Sequence, residues 1–272
     1  GGQLNQTAGG MGIIVGELGT GTLTLSSSGE VTTYGVLRLG NSATGNGTVH
    51  LNGGTLTATK VETAGGTSTF NFNGGTLKAN GSSTSYLQGL TTVNVRNGGA
   101  LIQNNGNNIT IAQPLLHSTI SGDNATDGGL SMSGYGTLTL SGANTYNGPT
   151  TINDGTLVLA GTSTTGDISL ADATTLGAKI TNINTSVVAN TNNPDLNFGT
   201  TSDTNLEFNF NTLGNPTAPV INLGSGVATL NGVVNVSLTN TTALTTTPSS
   251  TTLTLVSYGS QAGAGSWNLH TT

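Results

Sequence analysis

One phrase returns along this chain and limits what it can fold into. Gly-Thr-Leu-Thr-Leu stands at Gly21–Leu25 and again at Gly136–Leu140. Shorter forms stand at Gly53–Leu56, Gly74–Leu77, Gly98–Leu101 and Asp154–Leu157. The steps from Gly53 to Gly74, from Gly74 to Gly98 and from Gly136 to Gly155 are unequal, yet all lie close to twenty. A loose period of that kind marks a repeat architecture, with fixed strands and variable turns between them. Inside each phrase the period is two. Leu23 and Leu25 share one parity, Thr22 and Thr24 the other. Phe70/Phe72, Val49/Leu51, Val93/Val95 and Ile109/Ile111 alternate with polar residues in the same way. Successive strand side chains point to opposite faces, so each segment has one apolar and one polar face. Asn-Gly, Gly-Gly and Ser-Gly pairs bound the segments, and Asn and Gly tolerate the positive φ of tight corners.

Short alternating strands with glycine corners fit an antiparallel sandwich or a β-solenoid. A sandwich calls for hairpins with two-residue loops. The recurring unit favours the solenoid, so the expected fold is all-β, a parallel β-helix with coils of about 20 residues. Like residues then stack, Leu over Leu and Asn over Asn, at the ~4.8 Å strand spacing. A core that narrow needs few large side chains, which accounts for an aromatic content of only 4%. Residues 1–180 read as the repeat region. Residues 181–272 read as degenerate coils that continue or cap the same solenoid. Thr181–Asn193 is weakly periodic, and alternation resumes at Leu196/Phe198, Leu206/Phe208/Phe210 and Val234/Val236/Leu238. Thr239–Thr251, with Pro248, reads as a loop or strand crossing. Trp267 reads either as a plug in the final coil or as a partly exposed terminal residue.

Charge excludes several partners. Only 6% of the 272 residues are charged, with 5 basic against 11 acidic. The basic residues are scattered singly, whereas nucleic-acid affinity needs clustered Lys and Arg on phosphates. A polybasic membrane patch is missing for the same reason. Apolar runs such as Gly12–Gly16 are far too short to span a bilayer. Zero Cys removes disulfides and thiol chemistry. No signal peptide opens the sequence, so it reads as a mature or excised piece. A Thr/Asn/Gly-rich, Lys-poor composition is expected of an extracellular or bacterial-surface protein.

Candidate chemistry is sparse. Glycosidases need two carboxylates at a defined separation, whereas the acids here stand mostly alone at turns. The best pair is Asp123 and Asp127 in Ser121–Gly129. It is a weak Ca²⁺ candidate, because Ala125 takes the third position and no Glu follows at the twelfth; a solvated turn is the default. His50, His117 and His270 are isolated, and neither a metal site nor a cofactor is expected. Thr-x-Thr at Thr22–Thr24, Thr55–Thr57 and Thr137–Thr139 suggests an ice-binding face, but His50, Asn71, Asn94 and Arg96 interrupt the array.

Gly136–Leu159 reads GTLTLSGANTYNGPTTINDGTLVL. It resembles the autotransporter-associated β-strand repeat, also called the passenger-associated transport repeat. The likeness rests on Gly136, Leu138, Leu140, Asn144, Tyr146, Gly148, Pro149, Gly155 and Leu157, and is close through Leu140–Tyr146 and Gly148–Thr151. Ile109–His117, Ser68–Ala79 and Thr252–Leu269 resemble flanking and terminating coils of the same large bacterial surface proteins. The resemblance implies a right-handed parallel β-helix, secreted and displayed at or beyond the cell surface. No amphipathic strands ending in an aromatic close the sequence, so a membrane barrel of its own is not expected. Within the repeat, the Tyr146 ring is expected on a corner with its hydroxyl in water. Pro149 pre-sets a turn, and Asn144 is placed to bond the backbone of an adjacent coil. The function expected is structural and non-catalytic. The chain reads as a solenoid block that joins copies of itself, by ends or faces, into a surface fibre, filament or sheath. The alternative is a rigid passenger stalk or adhesin that contacts host or matrix glycans. A polysaccharide-degrading enzyme and an ice-binding protein are the weaker readings.

Overall fold

The computed structural model describes residues 2–6, 12–189, 192–244 and 252–271. Pro248 lies outside them. Two compact units divide the chain, Gly1–Gly148 and Pro149–Thr272. Among the described residues the only helical element is a single 3-10 turn, Thr241–Ala243. All strand pairs with a described register are parallel, and no sheet closes into a barrel. The fold is a β-solenoid.

In the first unit the chain visits three faces in turn. The first face stacks Gln3–Gln6, Glu30–Thr33, Thr55–Ala58, Thr76–Ala79, Ala100–Gln103 and Leu130–Ser133. The second stacks Ile13–Val15, Val36–Leu39, Lys60–Glu62, Ser83–Leu87, Ile109–Ile111 and Thr137–Leu140. The third stacks Thr20–Leu25, Asn46–Leu51, Thr67–Phe72, Thr92–Val95 and Leu116–His117. One circuit of the faces is a rung. Glu30 faces Thr55, Thr55 faces Thr76, Thr76 faces Leu101 and Leu101 faces Ser131. These rungs are unequal, as the loose period implied, and each is longer than the coil of about twenty residues expected. The extra length goes into corners, which carry no ladder and tolerate insertion.

The inward parity makes columns. Val31, Leu56, Leu77, Ile102 and Met132 lie one above another on the first face. Leu37, Val61, Leu87, Ile111 and Leu140 do the same on the second, and Leu51, Phe72 and Val95 on the third. Almost all are fully buried. Each buried Leu or Phe contributes about 2 kcal/mol, and no single large cluster is needed. Corners are crowded by backbone. Gly54 has φ 68°, and a Cβ there would collide with the carbonyl oxygen of Gly29 in the preceding rung, so only glycine fits.

The second unit keeps two regular faces. One stacks Thr150–Ile152, Ile168–Leu170, Leu196–Phe198, Val227–Leu230 and Ser260–Ala262. The other stacks Thr156–Leu159, Thr175–Lys179, Thr204–Asn209, Val233–Thr239 and Ser266–Thr271. Leu157, Leu176, Leu206, Val236 and Leu269 form one of its columns. The third side thins to single bridges, Ser163–Val188 and Val188–Ile221, and a short pair, Ile221–Asn222 with Val256–Ser257. Rung length grows along this unit. Thr150 faces Ile168 across a short rung, Ile168 faces Leu196 across a longer one, and Ala228 faces Gln261 across a longer one still. The wide rungs contain Pro194, Pro216 and Pro219, which cannot donate to a ladder. Apart from those short pairings, their third sides run as loops.

Candidate functional site

Most of the charged side chains join one rung to another. At least ten of the eleven carboxylates accept a hydrogen bond from a residue 20 to 32 positions away, one rung up or down. Glu62 receives Arg38 Nε at 3.1 Å and Lys60 Nζ at 2.6 Å. Burial pushes its carboxyl up, and the two cations outweigh that and hold it below the ordinary value. Asp172 Oδ1 receives the backbone N–H groups of Thr200, Thr201 and Ser202, and its Oδ2 receives both threonine hydroxyls. Those backbone donors hold Asp172 far below the ordinary carboxylate range. Asp167 receives the Asp195 N–H at 3.0 Å, and Asp195 in turn receives the Val227 N–H at 2.7 Å. Asp203 receives Val233 N–H at 3.1 Å.

The two acids singled out in the sequence have separate partners. Arg96 Nε and Nη2 clasp Asp123 at 2.8 and 2.9 Å, and Ser118 Oγ donates to it at 2.5 Å. The Arg96 guanidinium first, and Ser118 after it, lower the Asp123 carboxyl, while burial opposes them. Asp127 is 5% exposed. Its Oδ1 receives the N–H groups of Gly129 and Gly148 at 2.8 and 2.9 Å, and its Oδ2 that of Asn147 at 2.9 Å. His117 Nδ1 lies 2.9 Å from the same Oδ2. Among the described residues, no group of three or more His, Asp or Glu is placed to hold a metal ion. Arg96 stands a full rung before Asp123, which is why reading along the sequence found no base beside it.

The remaining motif residues line the interior and its corners. Leu138, Leu140 and Leu157 are fully buried. Gly136 N–H donates to Asn104 Oδ1 at 3.1 Å, and a Cβ at Gly136 would strike the Asn107 backbone. Gly148 is packed on Asp127 and Gly129, Gly155 has φ 73°, and Pro149 is exposed. Asn144 is buried, with Oδ1 receiving Leu115 N–H at 3.0 Å from the preceding rung and Nδ2 donating to Gly142 O at 3.0 Å.

Tyr146 corrects an expectation. Its side chain is 1% exposed, turned inward rather than laid on a corner with its hydroxyl in water. The N–H groups of Thr145 and Tyr146 both donate to Leu115 O, which tucks the segment against the rung before it. Gly142, Asn144, Tyr146 and Gly148 are all buried while Ala143, Thr145 and Pro149 are exposed. The period of two runs straight through a stretch that its Asn, Gly and Pro content disguised as a turn.

The third face of the first unit carries polar ladders. Asn94 Nδ2 donates to Asn71 Oδ1 at 2.8 Å, which turns the Asn71 Nδ2 toward His50 Nδ1 at 3.2 Å. His50 therefore offers a lone pair at Nδ1. Thr22, Thr48, Thr69 and Thr92 stack in the neighbouring column. Of the residues that break the Thr-x-Thr array, His50, Asn71 and Asn94 occupy one column and leave a single threonine column beside it, while Arg96 lies past the end of its strand.

The last described rung opens onto a hollow of about 250 Å³, lined by residues including Phe208, Val236, Leu255, Tyr258, Trp267 and Leu269. Trp267 packs edge-on against Phe198 at 5.4 Å and near Tyr258 at 6.4 Å, and donates from Nε1 to Gln261 Oε1 at 2.9 Å. It is half-buried, both lining the opening and reaching solvent.

Stacked parallel strands, columns of apolar side chains and acids that bond neighbouring rungs define a parallel β-solenoid. The model of the passenger-associated-transport-repeat family matches residues 130–159, so the chain carries that repeat where the resemblance placed it. No curated protein and no solved structure matches the chain significantly. The repeat family goes with secreted or surface proteins. No helix among the described residues is long and apolar enough to cross a membrane.

Proposed function

We propose that this chain is a non-catalytic extracellular structural protein, a solenoid block that builds a surface fibre, filament or sheath from copies of itself. The observation that carries this reading is the use of the ionisable groups. A hydrolase or lyase keeps acids and bases free to face a substrate; here at least ten of the eleven carboxylates accept bonds from a neighbouring rung.

Assembly draws on the outermost described rungs. Among the described residues, Gln3–Gln6, Ile13–Val15 and Thr20–Leu25 pair on one edge only, as do Ser260–Ala262 and Ser266–Thr271. Edges of this kind template a further strand. With so little charge, self-repulsion is small. A head-to-tail contact is heterologous and grows open filaments where the rotation does not close. Size-exclusion chromatography with light scattering, followed by negative-stain microscopy, tests this. Rods that lengthen with concentration are expected; a monodisperse monomer at millimolar concentration refutes assembly.

A further inference from the structure

The first unit bears a polar groove of about 270 Å³ on the outside of its first face, lined by Glu30, Thr32, Thr55, Thr57, Lys78 and Gln103. It runs along the stack. Thr32, Thr57, Lys78, Gln103 and Ser133 stand in one column, each directly over the last. Unlike Arg38, Lys60 and Arg96, Lys78 has no ion-pair partner among the described residues. One acid and one base leave the groove without net charge, and the protein as a whole carries −6, which repels polyanions.

Two aromatic rings mark the same edge of this face. Tyr34 stands two residues past Thr32, and Tyr135 two past Ser133, both at the turn from the first face to the second. Tyr34 is 55% exposed and Tyr135 87%. The equivalent positions between them are Thr59, Asn80 and Asn105, all small and polar. Neither ring makes an aromatic contact among the described residues, although every other tyrosine of the chain is buried or packed on a ring. Exposed rings along the edge of a face that carries a charge-balanced, hydroxyl-lined groove have the chemistry of a sugar-stacking platform.

We propose that this face binds a linear, neutral polysaccharide lying along the solenoid axis. Sugar rings stack on Tyr34 and Tyr135, and sugar hydroxyls bond Thr32, Thr57, Lys78 and Gln103. An extended β-1,4-linked chain advances by about one strand spacing per sugar, so successive sugars meet successive rungs. The two tyrosines are four rungs apart, roughly 19 Å at the usual spacing, which a hexasaccharide spans and a disaccharide does not. This activity is independent of filament assembly.

Isothermal titration of the whole chain with cellohexaose, xylohexaose and chitohexaose tests it, with the matching disaccharides and an alginate hexamer alongside. At least one neutral hexasaccharide is expected to bind, with its disaccharide weaker by about tenfold or more. Tyr34→Ala and Tyr135→Ala each weaken it roughly tenfold, and Tyr34→Phe keeps it. Circular dichroism confirms that each variant is folded, which the exposure of both rings favours. Absence of binding by all three hexasaccharides overturns the proposal. So does affinity unchanged in both alanine variants, or tighter binding of the alginate hexamer.

Discussion

Removing the Asp127 carboxylate tests whether acids hold the rungs together. It receives three backbone N–H groups at 2.8 to 2.9 Å and faces His117 Nδ1 at 2.9 Å. Its side chain is 1% exposed. In Asp127→Ala all four donors lose this acceptor. The bonds from Gly129 and Gly148 are buried and those from Asn147 and His117 partly so. A buried donor left unsatisfied costs about 1–3 kcal/mol, so two buried donors, with partial hydration of the others, give a loss of about 3–5 kcal/mol. Asp127→Asn is milder. The amide oxygen keeps Gly129 and Gly148, and the amide N–H₂ can donate to His117 in its other tautomer. Only Asn147 N–H is orphaned, which costs about 1–2 kcal/mol.

Because solenoids open rung by rung, amide hydrogen exchange is the sharper assay beside urea unfolding. Protection of Gly129, Asn147 and Gly148 is expected to collapse in the alanine variant. In the asparagine variant only Asn147 is expected to weaken. Unfolding free energy within about 0.5 kcal/mol of the parent in Asp127→Ala, or an asparagine variant less stable than the alanine one, refutes the reasoning.

Acid stability follows from Asp123 and Asp172, whose folded carboxyls lie below the ordinary value of 3.8. The unfolded chain binds protons first as pH falls, so their contribution is full above that value and lost below it. Melting curves from neutral to strongly acidic pH check this, and Asp123→Asn should flatten the acid limb; an unchanged limb contradicts it. Tyr86 Oη is buried with no hydrogen-bond partner among the described residues, and burial pushes its hydroxyl far up. Tyr86→Phe should therefore be neutral or stabilising by about 1 kcal/mol in urea unfolding, and a clear loss would reveal a partner. Gly136→Ala should cost about 3 kcal/mol or more from its clash with the Asn107 backbone. Gly81→Ala, whose Cβ meets nothing nearer than 3.9 Å, should be neutral or gain a few tenths of a kcal/mol; equal effects in thermal melts defeat the close-packing argument. Millimolar Ca²⁺ should leave the melting temperature unchanged, since Arg96 and backbone donors already occupy Asp123 and Asp127. A rise of several degrees counts against that assignment.

Much of the fold was legible because it depends on parity alone. Phe70, Phe72, Val93, Val95, Leu138 and Leu140 alternate in the sequence and are buried in the structure. The same parity passes through Asn144 and Tyr146, where composition suggested a corner; counting by twos from Leu140 points both inward. The inter-rung bonds were not legible. A helix places partners at fixed offsets of three or four. Rungs here have no fixed length, as the short step from Thr150 to Ile168 and the long one from Ala228 to Gln261 show. Arg96 and Asp123, or Asp167 and Asp195, therefore leave no constant spacing to search for. Tyr34 and Tyr135 share an edge for the same hidden reason: four rungs of unequal length lie between them.

The acidic balance of the chain follows from its corners. Where a strand begins, the ladder leaves backbone N–H groups pointing at the previous rung, and these need acceptors. Asp127, Asp167, Asp172, Asp195 and Asp203 each supply one, and together they receive eight such N–H bonds. Lysine and arginine only donate and cannot fill that role. An excess of 11 acids over 5 bases thus suits a solenoid stitched by its corners, where Asn side-chain oxygens accept such bonds as well. Net charge, usually read as a clue to partners, here records how the molecule holds itself together. The proposed partners rest instead on features the stitching leaves over: the outermost described strands, Lys78 and the two exposed tyrosines.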